Sequence, residues 1–192
     1  HDMAGWIDDV VDYVQRVRKT AVGGVLVVGT AYADIAAIAA RVALADPAAP
    51  LLVQRQGVSL AGLRQQFLAA SAQASKPTLF GVGGVWTGFD LHDPFNQDAL
   101  TDLVILNLPF GMRGQSVAAL VNRLEERSHY ELASHALILF RQVVGRLVRT
   151  EQTPANRRIH LLDARLHHRP EWRGITAPIR RFLARYRQVV VG

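Results

Sequence analysis

The sequence predicts an α/β fold, a mostly parallel sheet covered by helices on both faces. Three observations lead there. Apolar runs such as Val25-Leu-Val-Val28 are continuous rather than alternating, which suits strands buried on both sides. These runs alternate with segments of helical periodicity, the order expected of right-handed βαβ units. The 192 residues, 49 % hydrophobic and 20 % charged, are enough for one domain with a sizeable core.

Each element has its own signal. Trp6 to Arg18 reads as an amphipathic helix, with Trp6, Val10, Val11, Val14 and Val17 at helical spacing and acids in its first turn. Gly23-Gly24 ends it, and Val25–Val28 is the first strand. Asp34 to Ala45 is an Ala-rich helix stopped by Pro47, and Leu51 to Gln54 is the next strand. Ser59 is placed to cap a helix running to about Ala74. Thr78 to Val82 and Leu103 to Leu108 are the third and fourth strands, and Arg158 to Leu162 is the fifth. Between the last two lie helices near Gln115–Arg127 and Glu131–Thr150, and a final helix runs from Ala177 to about Gln188. His92 to Thr101, with Pro94, Asn96 and Asp98, is the most loop-like stretch. His1-Asp2-Met3 reads as an added leader, so that residues 4–192 form a single domain.

Composition narrows the chemistry. With no cysteine, this segment cannot hold a disulfide, a cysteine-ligated zinc ion or an iron–sulfur cluster. No apolar run of about 18 residues and no signal peptide stands out, so no membrane role is expected and a cytoplasmic setting is. The net charge is +6, carried by arginine except at Lys19 and Lys76. It is uneven: residues 141–192 hold 12 arginines against Glu151, Asp163 and Glu171, while the rest of the chain is slightly acidic. Such asymmetry fits a polyanionic partner, and equally a solvated basic face.

Open parallel sheets bind ligands at the carboxyl ends of their strands. Here those ends are Gly29-Thr-Ala-Tyr32, Gly81 to Asp90, Pro109-Phe110 and Asp163-Ala-Arg165. A phosphate-binding loop of the G-x-x-x-x-G-K-[S/T] type is missing. Lys19-Thr20 follows Arg18 and precedes the first strand, and Lys76 is followed by Pro77. The dinucleotide fingerprint fails as well, since Trp86 occupies the third glycine position after Gly81-x-Gly83. This disfavours a metabolic dinucleotide enzyme. The richest segment is Phe140-Arg-Gln-Val-Val-Gly-Arg-Leu-Val-Arg149. On a helix, Gln142, Arg146 and Arg149 share one face, and Phe140, Val144, Leu147 and Val148 form an apolar one. Gly145 inside that helix costs roughly 1 kcal/mol relative to Ala, which makes sense where a ligand approaches the backbone. Two planar arginine forks and an amide suit phosphate oxygens. An exposed arginine stripe on an ordinary helix is the other reading.

Those residues carry a resemblance. Gln142-Val-Val-Gly145-Arg146-Leu-Val-Arg149 resembles the Q-x-x-G-R-x-x-R motif VI of superfamily 2 helicases. Leu79-Phe-Gly-Val-Gly-Gly-Val-Trp86-Thr-Gly88-Phe-Asp90 is similar to the W-E-G-x-D motif V region of the DinG/XPD family. Leu103-Val-Ile-Leu-Asn-Leu-Pro109-Phe110 looks like its LPF strand. Val25-Leu-Val-Val-Gly-Thr30-Ala-Tyr32 resembles its motif IV strand, and Leu161-Leu-Asp163-Ala-Arg165 its closing D-x-R element. Five elements in order over about residues 25–165 identify the chain as the second RecA-like domain of a DinG-type helicase, a fragment of a longer protein. Thr87 stands where the family usually has Glu, the segment after Asp90 is longer, and Gly111-Met-Arg113 lacks the usual proline. These departures suggest a divergent branch. DinG-like proteins of type IV CRISPR systems form one such branch, for which a CRISPR ribonucleoprotein would be a partner.

The resemblance implies a mechanism. In relatives, ATP and Mg²⁺ sit between two RecA-like domains, and the first domain supplies the P-loop and the acids. The second closes over the γ-phosphate. By that analogy Arg146 and Arg149 are arginine fingers and Gln142 orients the γ-phosphate or attacking water. Gly88, Asp90 and Gly145 lie on the nucleotide side, with Gly88 and Asp90 coupling it to the nucleic-acid groove; a turn-capping role for Asp90 stays open. Thr30 and Tyr32 would touch the backbone of single-stranded DNA, Tyr32 having core packing as its alternative. Trp86 reads as a buried anchor of the motif V loop rather than a base-stacking ring. Arg180, Arg181, Arg185 and Arg187 form a basic final helix that could track phosphates or simply be solvated, and the nucleic-acid partner implied is single-stranded DNA or a DNA duplex or R-loop. His129, His135, His167 and His168 lack carboxylates at metal-ligand spacing, so no metal site is assigned. The activity implied is ATP-dependent 5′-to-3′ DNA unwinding, absent from the isolated domain. The competing class is a non-catalytic nucleic-acid-binding or ribonucleoprotein-docking domain that kept the fold.

Overall fold

The structure, a computed structural model, describes residues 3–48, 50–73, 75–87, 89–91, 99–110, 126–147, 156–166 and 170–186. Among the described residues, five strands form one sheet in the order β2-β3-β1-β4-β5. They are β1 (Gly24–Val28), β2 (Leu51–Val53), β3 (Thr78–Gly81), β4 (Leu100–Ile105) and β5 (Arg158–Leu161). Every pairing is parallel, so the expected α/β architecture of RecA-like type is present. The helices are α1 (Met3–Thr20), α2 (Tyr32–Ala45), α3 (Leu60–Ala72), the single turn α4 (Gly84–Thr87), α5 (Glu126–Leu147) and α6 (Arg173–Leu183). Two 3₁₀ turns, Ala164–Leu166 and Pro170–Trp172, lead into α6.

The continuous apolar runs are explained by two cores, one on each face. Val25 and Val27 of β1 pack with Val10, Val14 and Val17 of α1 and Ile35, Ile38 and Val42 of α2. Leu26 and Val28 point the other way, into Phe67 of α3, Trp86 of α4 and Phe140, Val143 and Val144 of α5. The chain first steps from β1 out to β2, then returns through β3 and on to β4 and β5. Right-handed crossovers therefore put α2 on the opposite face from α3 and α5. Truncating a wholly buried ring such as Phe67 or Phe140 to Ala would cost about 3–5 kcal/mol. Polar links close the α1 side: Arg18 Nε donates to Thr78 Oγ1 (3.1 Å), and its NH2 pairs with Asp46 Oδ2 (3.0 Å).

Several boundaries differ from the sequence reading. Helix α1 begins at Met3, so no acid falls in its first turn. Ser59 does sit at the α3 N-cap, but its side chain makes no capping hydrogen bond. Strand β4 begins at Leu100 and ends at Ile105, three residues earlier at each end than expected. The expected loop His92–Thr101 therefore ends early: Leu100 and Thr101 already belong to β4, and Thr101 and Asp102 are fully buried in the strand. Helix α5 starts at Glu126, and α6 starts at Arg173 and carries Pro178 inside it. All of the expected helix Gln115–Arg127 except its last two residues lies outside the described residues, as does His92–Asp98. Among the described residues no helix is long and apolar enough to cross a membrane.

Candidate functional site

The carboxyl edge of the sheet is where loops from all five strands meet, and polar side chains stitch them together. Gln54 is the first residue past β2 and is 6 % exposed. Its Oε1 accepts the Val82 N–H at 2.8 Å, taking over where the β2 backbone stops. Its Nε2 donates to Tyr32 Oη at 3.4 Å. Gly81 leaves room for this, because a Cβ there would lie 2.5 Å from Val85 Cγ2 and 3.2 Å from Gln54 Oε1. Trp86, wholly buried, donates its indole N–H to the Gly29 carbonyl at 2.8 Å. The anchor reading of Trp86 therefore holds, and base stacking by this ring is ruled out. Tyr32 is 42 % exposed at the start of α2, which rules out core packing. Thr30 Oγ1 donates to Asn107 Oδ1 at 3.1 Å, joining the β1 and β4 loops.

The helix α5 side comes next. Gln142 and Gly145 are exposed, Arg146 is half-buried, and Phe140, Val143, Val144 and Leu147 face the core. The division of faces expected from spacing is therefore present over Phe140–Leu147. A Cβ on Gly145 would meet nothing within 4 Å, so internal packing gives no reason for glycine there. Arg146 NH1 donates to the Val85 carbonyl at 2.7 Å, tying α5 to α4. Asp90, half-buried, follows α4 rather than ending β3 directly, and its carbonyl accepts Arg64 Nε at 2.6 Å. Gly88 and Arg149 lie outside the described residues, as do His167, His168 and Arg187. Of these residues, Arg146 is tied to α4, Thr30 to the loop after β4, Tyr32 to the residue after β2 and Asp90 to α3, each by a separate hydrogen bond.

The D-x-R element is a clamp. Asp163 Oδ2 accepts the Leu108 N–H at 2.6 Å and Arg165 NH2 at 2.6 Å. Arg165 NH2 also reaches the Leu108 carbonyl at 3.0 Å. Its guanidinium carbon lies 5.0 Å from the ring centres of both Phe110 and Trp172. The Leu108–Phe110 loop is held from the neighbouring strand by charge, hydrogen bonds and cation–π contact together.

A second polar cluster lies on the α1 face, and the sequence reading missed it. Asp102, 0 % exposed, accepts from Thr101 Oγ1 (2.7 Å) and Arg158 Nε (2.6 Å), and His160 Nε2 stands at 2.9 Å. Tyr13 Oη is 3.1 Å from His160 Nδ1. Burial pushes the Asp102 pKa up, but the hydrogen bonds from His160, Arg158 and Thr101 outweigh it and hold the carboxyl below its ordinary range. The Tyr13 phenol is raised, mainly by burial, with Arg16 and Arg158 opposing. Asp102, His160, Gln54 and Arg64 were the polar residues overlooked. The available signal was a polar residue beside an apolar run, at the start of β4 or just past β2.

Comparison with known proteins agrees with the fold. An XPD helicase structure superposes with TM-score 0.67 at 19 % identity, covering 94 % of this chain and 31 % of that one. An apo XPD structure gives 0.64 at 20 %, covering 87 % and 33 %, and S. tokodaii Xpd4 gives 0.55 at 14 %, covering 90 % and 32 %. The chain thus spans about a third of the length of each, and at these identities the likeness is one of fold. No curated protein sequence matches it. The sequence profile of the helicase C-terminal domain matches residues 14–181, and the chain belongs to that family.

Proposed function

We propose that this chain is the second motor domain of an ATP-dependent 5′-to-3′ DNA helicase of DinG type, residues 4–192 being one domain of a longer protein. The observation that carries the reading is the α5 face. Gln142 is exposed beside an open Gly145 backbone, and Arg146, one turn on, is bonded to α4, the helix of the motif V region. This is half of a phosphate site: donors without a phosphate-binding loop. It fits the closing side of a nucleotide whose cradle and Mg²⁺ ligands belong to another domain. ATP held there would supply the phosphoryl group, and Arg146 and Arg149 would meet the charge that develops on it, with Gln142 orienting the group attacked. Gly88 and Asp90 would relay that state toward Thr30 and Tyr32, which would touch single-stranded DNA.

The departures at Thr87 and after Asp90 suggest a divergent branch, of which the CRISPR-associated DinG proteins are one example, with a ribonucleoprotein as partner. In the intact protein, Arg149→Ala should lower the ATPase rate by about a thousandfold or more, the scale of a lost arginine finger, with thermal unfolding unchanged. Normal turnover in that variant would sink the assignment and leave a binding domain that kept the fold. The isolated chain should neither hydrolyse ATP nor bind it tightly.

A further inference from the structure

The Gln54 amide has only one possible orientation. A backbone N–H can only donate, so the atom facing Val82 N at 2.8 Å must be the amide oxygen. The NH₂ group then faces Tyr32 Oη, and having no lone pair to offer it must donate. The phenol oxygen is therefore the acceptor, and its own proton points elsewhere. Among the described residues Tyr32 has no hydrogen bond other than this one. At 6 % exposure the amide is shielded from water that could let it turn over. Its backbone is fixed too, with Gln54 N–H on the Phe80 carbonyl at 2.9 Å. The result is a directed chain, Val82 N–H to Gln54 to Tyr32 O–H, in which each bond polarises the next.

We infer that Gln54 is a positioning residue that makes Tyr32 an obligate outward donor, set to recognise an anionic oxygen acceptor of a phosphodiester backbone. The inference rests on the reading of Tyr32 as a single-strand contact. It adds the reason that a tyrosine serves there: its proton is committed outward by a buried amide 22 residues away.

The test is anisotropy of a labelled oligo-dT with the intact protein, with thermal unfolding as the check on folding. Tyr32→Phe should weaken binding about tenfold, the size of one hydrogen bond to a charged acceptor. Gln54→Glu should weaken it by a similar factor, because a carboxylate accepts both the Val82 N–H and the phenol proton, turning that proton inward. Gln54→Met, which removes the amide but leaves the phenol free to donate, should cost clearly less than Gln54→Glu. In a Tyr32→Phe background, Gln54→Glu should have no further effect. A further loss there, equal damage from Met and Glu, or unaltered binding by Tyr32→Phe overturns the inference. A wild-type protein that does not bind the oligonucleotide overturns the single-strand reading itself, and this inference with it.

Discussion

The two polar regions of this domain use similar residues to opposite ends. On the α1 face, Asp102, His160, Arg158, Thr101 and Tyr13 turn toward one another, and the Asp102 carboxylate spends its capacity inside the protein. On the carboxyl edge, Gln54, Trp86 and Arg146 bond inward to the backbone while Tyr32 and Gln142 remain exposed. The first arrangement holds a sheet together, and the second holds a surface ready. A buried polar side chain is therefore not evidence of a site; what its hydrogen bonds leave unspent is.

That contrast can be broken by substitution. The largest effect should come from Asp102→Ala, which strands Arg158 and His160 beside a wholly buried gap. Losing the charge-assisted bonds to this carboxylate costs about 3 kcal/mol, Arg158 keeping contact with water at 39 % exposure, and the loss is measurable as a fall in the urea midpoint. Arg165→Ala should come next, at about 2 kcal/mol for a charge-assisted pair with a largely buried Asp163. If that loss is instead within error of zero, the clamp on Leu108–Phe110 is ornamental.

Acid should also separate the two regions. Asp102 titrates lower folded than unfolded, so between the two values the unfolded chain binds more protons. Its contribution is complete above the ordinary carboxylate value of about 3.9 and is lost as pH falls through the lower folded one. A pH series of unfolding midpoints should show that loss in the native sequence and less of it in Asp102→Asn. The smallest effect is the most discriminating. Gly145→Ala should stabilise the helix by roughly 0.5–1 kcal/mol, since a Cβ there meets nothing. ATPase of the intact protein should nonetheless fall. A variant both more stable and fully active would remove the close-approach argument.

Most of the fold was legible because its signal is local. Leu26 and Val28 face one core and Val25 and Val27 the other, so a run of four apolar residues already says that both faces are covered. The α5 faces were legible for the same reason, through spacing of three and four. What failed was non-local. Asp102 went unnoticed because its partners lie 56 and 58 residues further on. Gln54 had no distinguishing neighbours, its partners being 22 and 28 residues away. Arg146 could be put on a face by counting, but its bond to Val85, 61 residues distant, could not. Ser59 shows the converse, a correct cap position whose expected bond is not made.

The central position of β1 has a mechanical consequence. Its carboxyl end carries Gly29 to Tyr32, and it is laced to β3 on one side and β4 on the other. Tension applied to that loop along the strand axis would load two parallel ladders in shear, many bonds resisting at once, instead of peeling them one after another. A pull received at Tyr32 would thus be shared across the sheet before any strand could slip.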